Sequence, residues 1–148
     1  MAKYCPIKQT YALYPDCGEC SEKLCEAFFC LVVGSRSFQD YRLLSEKLDY
    51  LLKEQPEVVI VSGGANGADS LAERYAKEKN IPCIVFPAKW EELGKAAGYI
   101  RNREMMTFVS KTRKHGCVAF WDGRSKGTKH NFGLAEEFGV PIQVVRFE

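Results

Sequence analysis

The chain has 148 residues, 46% of them hydrophobic and 27% charged, and 21 Lys and Arg against 19 Asp and Glu leave a formal net charge of +2. That length and balance suit one globular domain with a sound core, and near-neutrality excludes the broad basic surface that backbone tracking needs, so nucleic acid is not an expected partner. No apolar run approaches the roughly 20 residues of a membrane span and the amino terminus lacks a signal-peptide core, so the expected setting is the cytoplasm, with no membrane partner.

In chain order, residues 1–27 come first and stand apart. Four of the seven cysteines, Cys5, Cys17, Cys20 and Cys25, fall there, and Cys17-Gly18-Glu19-Cys20 is a Cys-x-x-Cys turn suited to two thiolates on one tetrahedral metal. A segment this short has little apolar content to fold on, and a structural zinc on those four thiolates supplies the missing free energy. A redox Cys-x-x-Cys or a tail of idle thiols are the competing readings. Cys30, Cys83 and Cys117 sit among apolar residues of expected strands and read as small buried hydrophobes, while His115 and His130 read as surface or site-lining groups.

Residues 28–148 form the second unit. Residues 28–33 are a strand by their β-branched and aromatic content, running into Gly34-Ser35-Arg36-Ser37 and then a helix over 39–54. Arg36 at the strand's mouth is either a surface arginine in a tight turn or a clamp for phosphate or carboxylate. The run 58–61 is the second strand, followed by Ser62-Gly63-Gly64-Ala65-Asn66-Gly67-Ala68-Asp69 and a helix over 68–79. Glycines at such a turn let the backbone approach a ligand, and the new helix's free N–H groups favour phosphate. The turn lacks the Gly-Lys-Ser/Thr ending of a Walker A loop, and no acidic residue ends a strand about 20 residues on, as a dinucleotide fingerprint requires.

A third strand is expected over 83–86, then a long connection carrying Trp90, which either stacks on a base or edges the core. The helix over 98–110 opens with Arg101-Asn102-Arg103-Glu104, whose arginines either serve the crevice or face solvent on a helix that turns Met105 and Met106 to the core. The strand over 117–121 ends in Asp122-Gly123-Arg124-Ser125-Lys126-Gly127-Thr128, a helix follows over 128–138 until Gly139-Val140-Pro141 stops it, and 142–147 is the last strand. Strands alternating with helices specify a doubly wound, parallel five-stranded sheet. Its expected order is third, second, first, fourth, fifth, with a crevice between the first and fourth strands where the glycine turns converge.

These motifs, Gly34-Ser35-Arg36, the 62–69 turn, Ala97-Gly98-Tyr99-Ile100-Arg101-Asn102-Arg103 and the segment 120–128, resemble the SLOG superfamily of Rossmann-like nucleotide-binding domains, especially its small YspA-like branch. The resemblance spans about 28–148 and implies a nucleotide-derived small molecule in the crevice, bound by a sensor or sequestering module. In that arrangement Arg36 and Arg101 hold phosphates and Gly63, Gly64 and Gly67 shape the loop. Asp69 bonds ribose or caps its helix, with Gly34, Ser35, Ser62, Asn102, Asp122, Gly123, Gly127 and Thr128 around the ligand. A homo-oligomer is possible.

Two related branches imply other functions. LOG-type phosphoribohydrolases release a base from a nucleoside monophosphate and carry a catalytic glutamate three residues beyond a Gly-Thr pair. Gly127-Thr128 matches, but Asn131 stands at the glutamate's place, and an amide cannot take a proton as a carboxylate does. Glu104 and Asp122 are the substitute candidates. DprA-type proteins bind single-stranded DNA with Gly-Ser-Arg and Arg-Asn-Arg segments, and against that stands the net charge of +2.

Overall fold

The computed structural model describes residues 2–5, 10–13 and 27–147, the first two stretches by their backbone pairing. Strands β1 (Ala2–Cys5) and β2 (Thr10–Leu13) pair antiparallel as a two-stranded sheet, Cys5 opposite Thr10 and Tyr4 opposite Tyr11. The sequence pattern predicts no strand here, because four residues are too few to show a period. Cys17, Cys20, Cys25 and the side chain of Cys5 lie outside the described residues.

The main sheet is five-stranded and parallel throughout. Its strands are β3 (Phe28–Gly34), β4 (Val58–Ser62), β5 (Cys83–Val85), β6 (Lys114–Trp121) and β7 (Ile142–Arg146). They lie in the order β5-β4-β3-β6-β7, which is the expected order of third, second, first, fourth and fifth.

The helices are α1 (Tyr41–Leu52), α2 (Ala68–Glu78), α3 (Trp90–Leu93), α4 (Ala97–Ser110) and α5 (Lys126–Phe138). Both faces of the central strands are buried, so β3 sorts its side chains by the period of two. Phe29, Leu31 and Val33 join Met105, Met106, Val109, Leu134 and Ala135 of α4 and α5 on one face. Cys30 and Val32 join Leu44, Leu48 and Leu52 of α1 and Ala72, Tyr75 and Ala76 of α2 on the other. The leucines of α1 recur every fourth residue and so form one stripe, each contributing about 1.5–3 kcal/mol when fully buried.

Local chemistry sets the helix ends. Asp40 caps α1, its Oδ1 accepting from the Leu43 N–H at 3.0 Å, and Gly139 ends α5 in the left-handed conformation at φ 69°. The expectation that Cys83 is buried is corrected. It is exposed, because β5 is the sheet's edge and only three residues long, whereas Cys30 and Cys117 are buried as expected. The long connection after β5 also holds structure, with α3 and a 3-10 turn (Gly94–Ala96) leading into α4.

Candidate functional site: a crevice at the switch point

Strands β3 and β6 run side by side to their carboxyl ends, where their connections part to opposite faces of the sheet and open a crevice. The Ser35 N–H donates to the Phe120 carbonyl at 2.9 Å, and the Asp122 N–H donates to Ser35 Oγ at 3.2 Å. The β3–α1 and β4–α2 loops also press together, because a Cβ at Gly67 would stand 2.3 Å from the Ser35 carbonyl oxygen. Between these loops and the first turns of α4 and α5 lies a cavity of about 540 Å³, a size that suits a nucleotide. A smaller depression of about 330 Å³ adjoins it, sharing Arg36, Ala65, Trp90 and Arg101.

Two arginines dominate the mouth. Arg36 is exposed, makes no ion pair among the described residues, and holds its guanidinium 5.6 Å from the centre of the Trp90 ring. Arg101 is half-buried on α4 and donates Nη1 to the carbonyl of Gly63 and Nε to Oδ1 of Asn102 at 3.1 Å. Burial lowers the Arg101 pKa, Asp69 opposes this, and the like charge of Arg36 adds to it. Asp69 is buried at the start of α2, and its Oδ2 accepts from the Ala65 N–H at 3.2 Å. Desolvation lifts its carboxyl to about 6 against the pull of that N–H and of Arg101. Gly67, not Asp69, occupies the cap position of α2.

Of the residues expected around a ligand, Gly34, Ser35, Arg36, Asp69, Arg101, Asn102, Asp122, Gly127 and Thr128 line the larger cavity, and Gly63 and Gly64 line the smaller. Ser62, Gly67 and Gly123 line neither. Ser62 is buried behind the loop, donating Oγ to Glu73 at 2.8 Å and accepting from the Gly64 N–H at 3.2 Å.

The structure corrects the carboxylate candidates. Glu104 faces a separate depression with Phe86 and Phe108, because two positions along α4 from the crevice-lining Asn102 carry it about 200° round the helix. Asp122 reaches the cavity, but its Oδ1 accepts from the N–H groups of Arg124 at 2.8 Å and Ser125 at 2.7 Å. Those two bonds hold its pKa below the ordinary value, so it is the hinge of a turn. Arg103 also lies outside, pairing with Glu137 at 2.6 Å and tying α4 to α5. Trp90 is 47% exposed, so it is not a core edge.

His130 packs edge-on against Tyr99, with ring centres 4.6 Å apart, and Nδ1 of His115 lies 3.0 Å from the Thr112 carbonyl. Among the described residues no group of three or more His, Cys, Asp or Glu is arranged to hold a metal. Sequence reasoning did not single out Asn131 as lining the cavity. Its signal was there, a polar residue on the buried stripe of α5 with Thr128, Leu134 and Ala135.

Residues 30–92 match the model of the YspA, cpYpsA-related SLOG family. The Gene 61 protein of Mycobacterium phage D29 is 36% identical over 118 residues, covering 76% of this chain and 91% of that protein. The chain belongs to the SLOG superfamily. Solved structures share this SLOG fold at low identity. DNA processing protein A from Helicobacter pylori, described for its single-stranded DNA binding mode, superposes with a TM-score of 0.61 at 20% identity, over 86% of this chain and 69% of that one. DprA from Streptococcus pneumoniae gives 0.63 at 18%, over 84% of this chain and 52% of that one, so the SLOG domain here spans about half the length of that protein.

Proposed function

We propose that the crevice binds a nucleotide-derived, phosphorylated small molecule and that the chain is a sensor or sequestering module. The observation that carries this reading is the pair Arg36 and Arg101. Arg36 has no acid to answer it among the described residues and stands close enough to Arg101 to weaken its hold on a proton. An anion between them relieves that repulsion, and the guanidinium forks match phosphate geometry.

A second reading, single-stranded DNA, draws on the exposed Trp90 and Tyr99 at the rim, since bases stack on such rings. Calorimetry with AMP, ADP-ribose, a cyclic nucleotide and a 12-nucleotide DNA strand ranks the two. Tighter binding of a mononucleotide or ADP-ribose is expected, and a tighter oligonucleotide reverses the proposal. A structural zinc on Cys5, Cys17, Cys20 and Cys25 is proposed separately, supported by their spacing alone.

A further inference from the structure

Asn131 is 3% exposed and lines the cavity from the inward stripe of α5. Its Nδ2 donates to the Gly127 carbonyl at 3.4 Å, but its Oδ1 is buried with no hydrogen-bond partner among the described residues. Asn102 on α4 differs. It donates to the same carbonyl at 3.4 Å, while its Oδ1 accepts from Nε of Arg101 at 3.1 Å. A buried amide oxygen without a donor destabilises a fold, and the stripe that holds Asn131 otherwise carries Leu134 and Ala135, so an apolar residue would pack there at no such penalty. A local rule broken at a cavity wall points to the ligand.

The chemistry of that atom narrows what meets it. An amide oxygen only accepts, so it repels a phosphate oxygen and calls for a donor, and the donors on the nucleoside part of a nucleotide are neutral hydroxyls and amines. A contact of 3.4 Å holds Nδ2 weakly, and the terminal torsion of Asn is soft, so a small turn presents Oδ1 to the cavity. The crevice is thus two-ended, with guanidiniums for an anion on the β4–α2 side and a neutral acceptor between α4 and α5.

We infer that Asn131 is a specificity residue, its Oδ1 accepting a hydrogen bond from a neutral donor on the nucleoside part of the ligand while Arg36 and Arg101 take the phosphate. The inference rests on the nucleotide reading above. A ribose hydroxyl and an exocyclic base amine both carry the required chemistry, and the experiment separates them.

Calorimetry compares AMP with its 2′-deoxy, 3′-deoxy and 6-oxo analogues, and with inorganic pyrophosphate, which has no neutral donor, on the wild-type chain and on Asn131→Leu. The analogue lacking the relevant donor is expected to bind the wild type about tenfold more weakly than AMP, the scale of one buried hydrogen bond. In Asn131→Leu that difference disappears, pyrophosphate binds as to the wild type, and the unliganded melting temperature rises because the orphaned oxygen is gone. AMP binding Asn131→Leu as well as the wild type overturns the inference and leaves the anion site standing. Failure of both AMP and pyrophosphate to bind the wild type overturns the nucleotide reading as well. Should Asn131→Leu not fold, the wild-type series decides alone, and equal affinity for all four nucleotides overturns the role.

Discussion

The guanidinium of Arg101 lies against the backbone of Gly63. Nη1 donates to the Gly63 carbonyl, and a Cβ built at that glycine would stand 2.7 Å from Nη1 and 2.8 Å from Oδ2 of Asp69. The missing side chain lets α4 lock onto the β4–α2 loop, so one contact sets both the loop and the cation of the crevice.

Gly63→Ala should therefore impair binding more than folding. The obstruction is mainly the far end of Arg101, which can move, so stability falls by about 1 kcal/mol while phosphate affinity falls about tenfold. Gly67→Ala is the contrast. Its new Cβ meets backbone, 2.3 Å from the Ser35 oxygen, at a φ of 81° that L residues avoid, and a loss above about 3 kcal/mol is expected. Urea unfolding of the two variants checks the order, and equal losses contradict it.

The two arginines should separate in the same assays. Arg36→Ala removes a side chain that, among the described residues, lies over the Trp90 ring and makes no ion pair, so its melting temperature stays near wild type while pyrophosphate or AMP binding weakens by about 1.5–3 kcal/mol. Arg101→Ala also deletes the bonds to Gly63 and Asn102 and so lowers both. Unchanged affinity in Arg36→Ala would remove the anion from the proposal.

Asp69 makes stability depend on pH in a defined direction. Its carboxyl titrates from an ordinary 3.8 up to about 6 in the folded chain, so the folded state keeps a proton that the unfolded state has released. Stability from this group therefore declines as pH rises from about 4 to about 6, by on the order of 2–3 kcal/mol, and is level above. Urea midpoints at pH 4, 5, 6 and 7.5 should show that decline in wild type and its loss in Asp69→Asn. Parallel curves for the two proteins would assign the slope to other groups.

Hydrolysis of nucleoside monophosphates is expected to be absent at enzymatic rates. Asn131 carries no carboxylate, Glu104 faces another depression, and Asp122 is committed to two backbone N–H groups. Chromatography of free base should show turnover below about 1 s⁻¹, the low end of ordinary enzymes. Faster release, abolished by Glu104→Gln or Asp122→Asn, would falsify this. Asp122→Ala should instead lower stability by about 1 kcal/mol, as loss of a turn or cap acceptor does.

For the proposed zinc, elemental analysis of protein purified without chelator should give one metal per chain, falling away in the double variant Cys17→Ser/Cys20→Ser. No stoichiometric metal, or full retention in the variant, contradicts it.

The alternation of strand runs with helical stripes determined the sheet's parallel character, because periodicity reports directly which faces are buried. Gly34, the 62–69 turn and Arg101 marked the crevice from sequence, since glycine turns at strand ends have a stereochemical signature. Tertiary structure alone decided which neighbouring side chains share the cavity. Arg101 and Asn102 line it, whereas Arg103 and Glu104, next along the same helix, do not, because about 100° of rotation per residue sorts side chains only once the helix is docked. It likewise decided that Asp122 is spent on its own turn, that Cys83 sits on an exposed edge, and that Asn131 keeps in the wall an acceptor unanswered among the described residues. Each depends on partners distant in the chain, and no local pattern encodes a hydrogen bond that is missing.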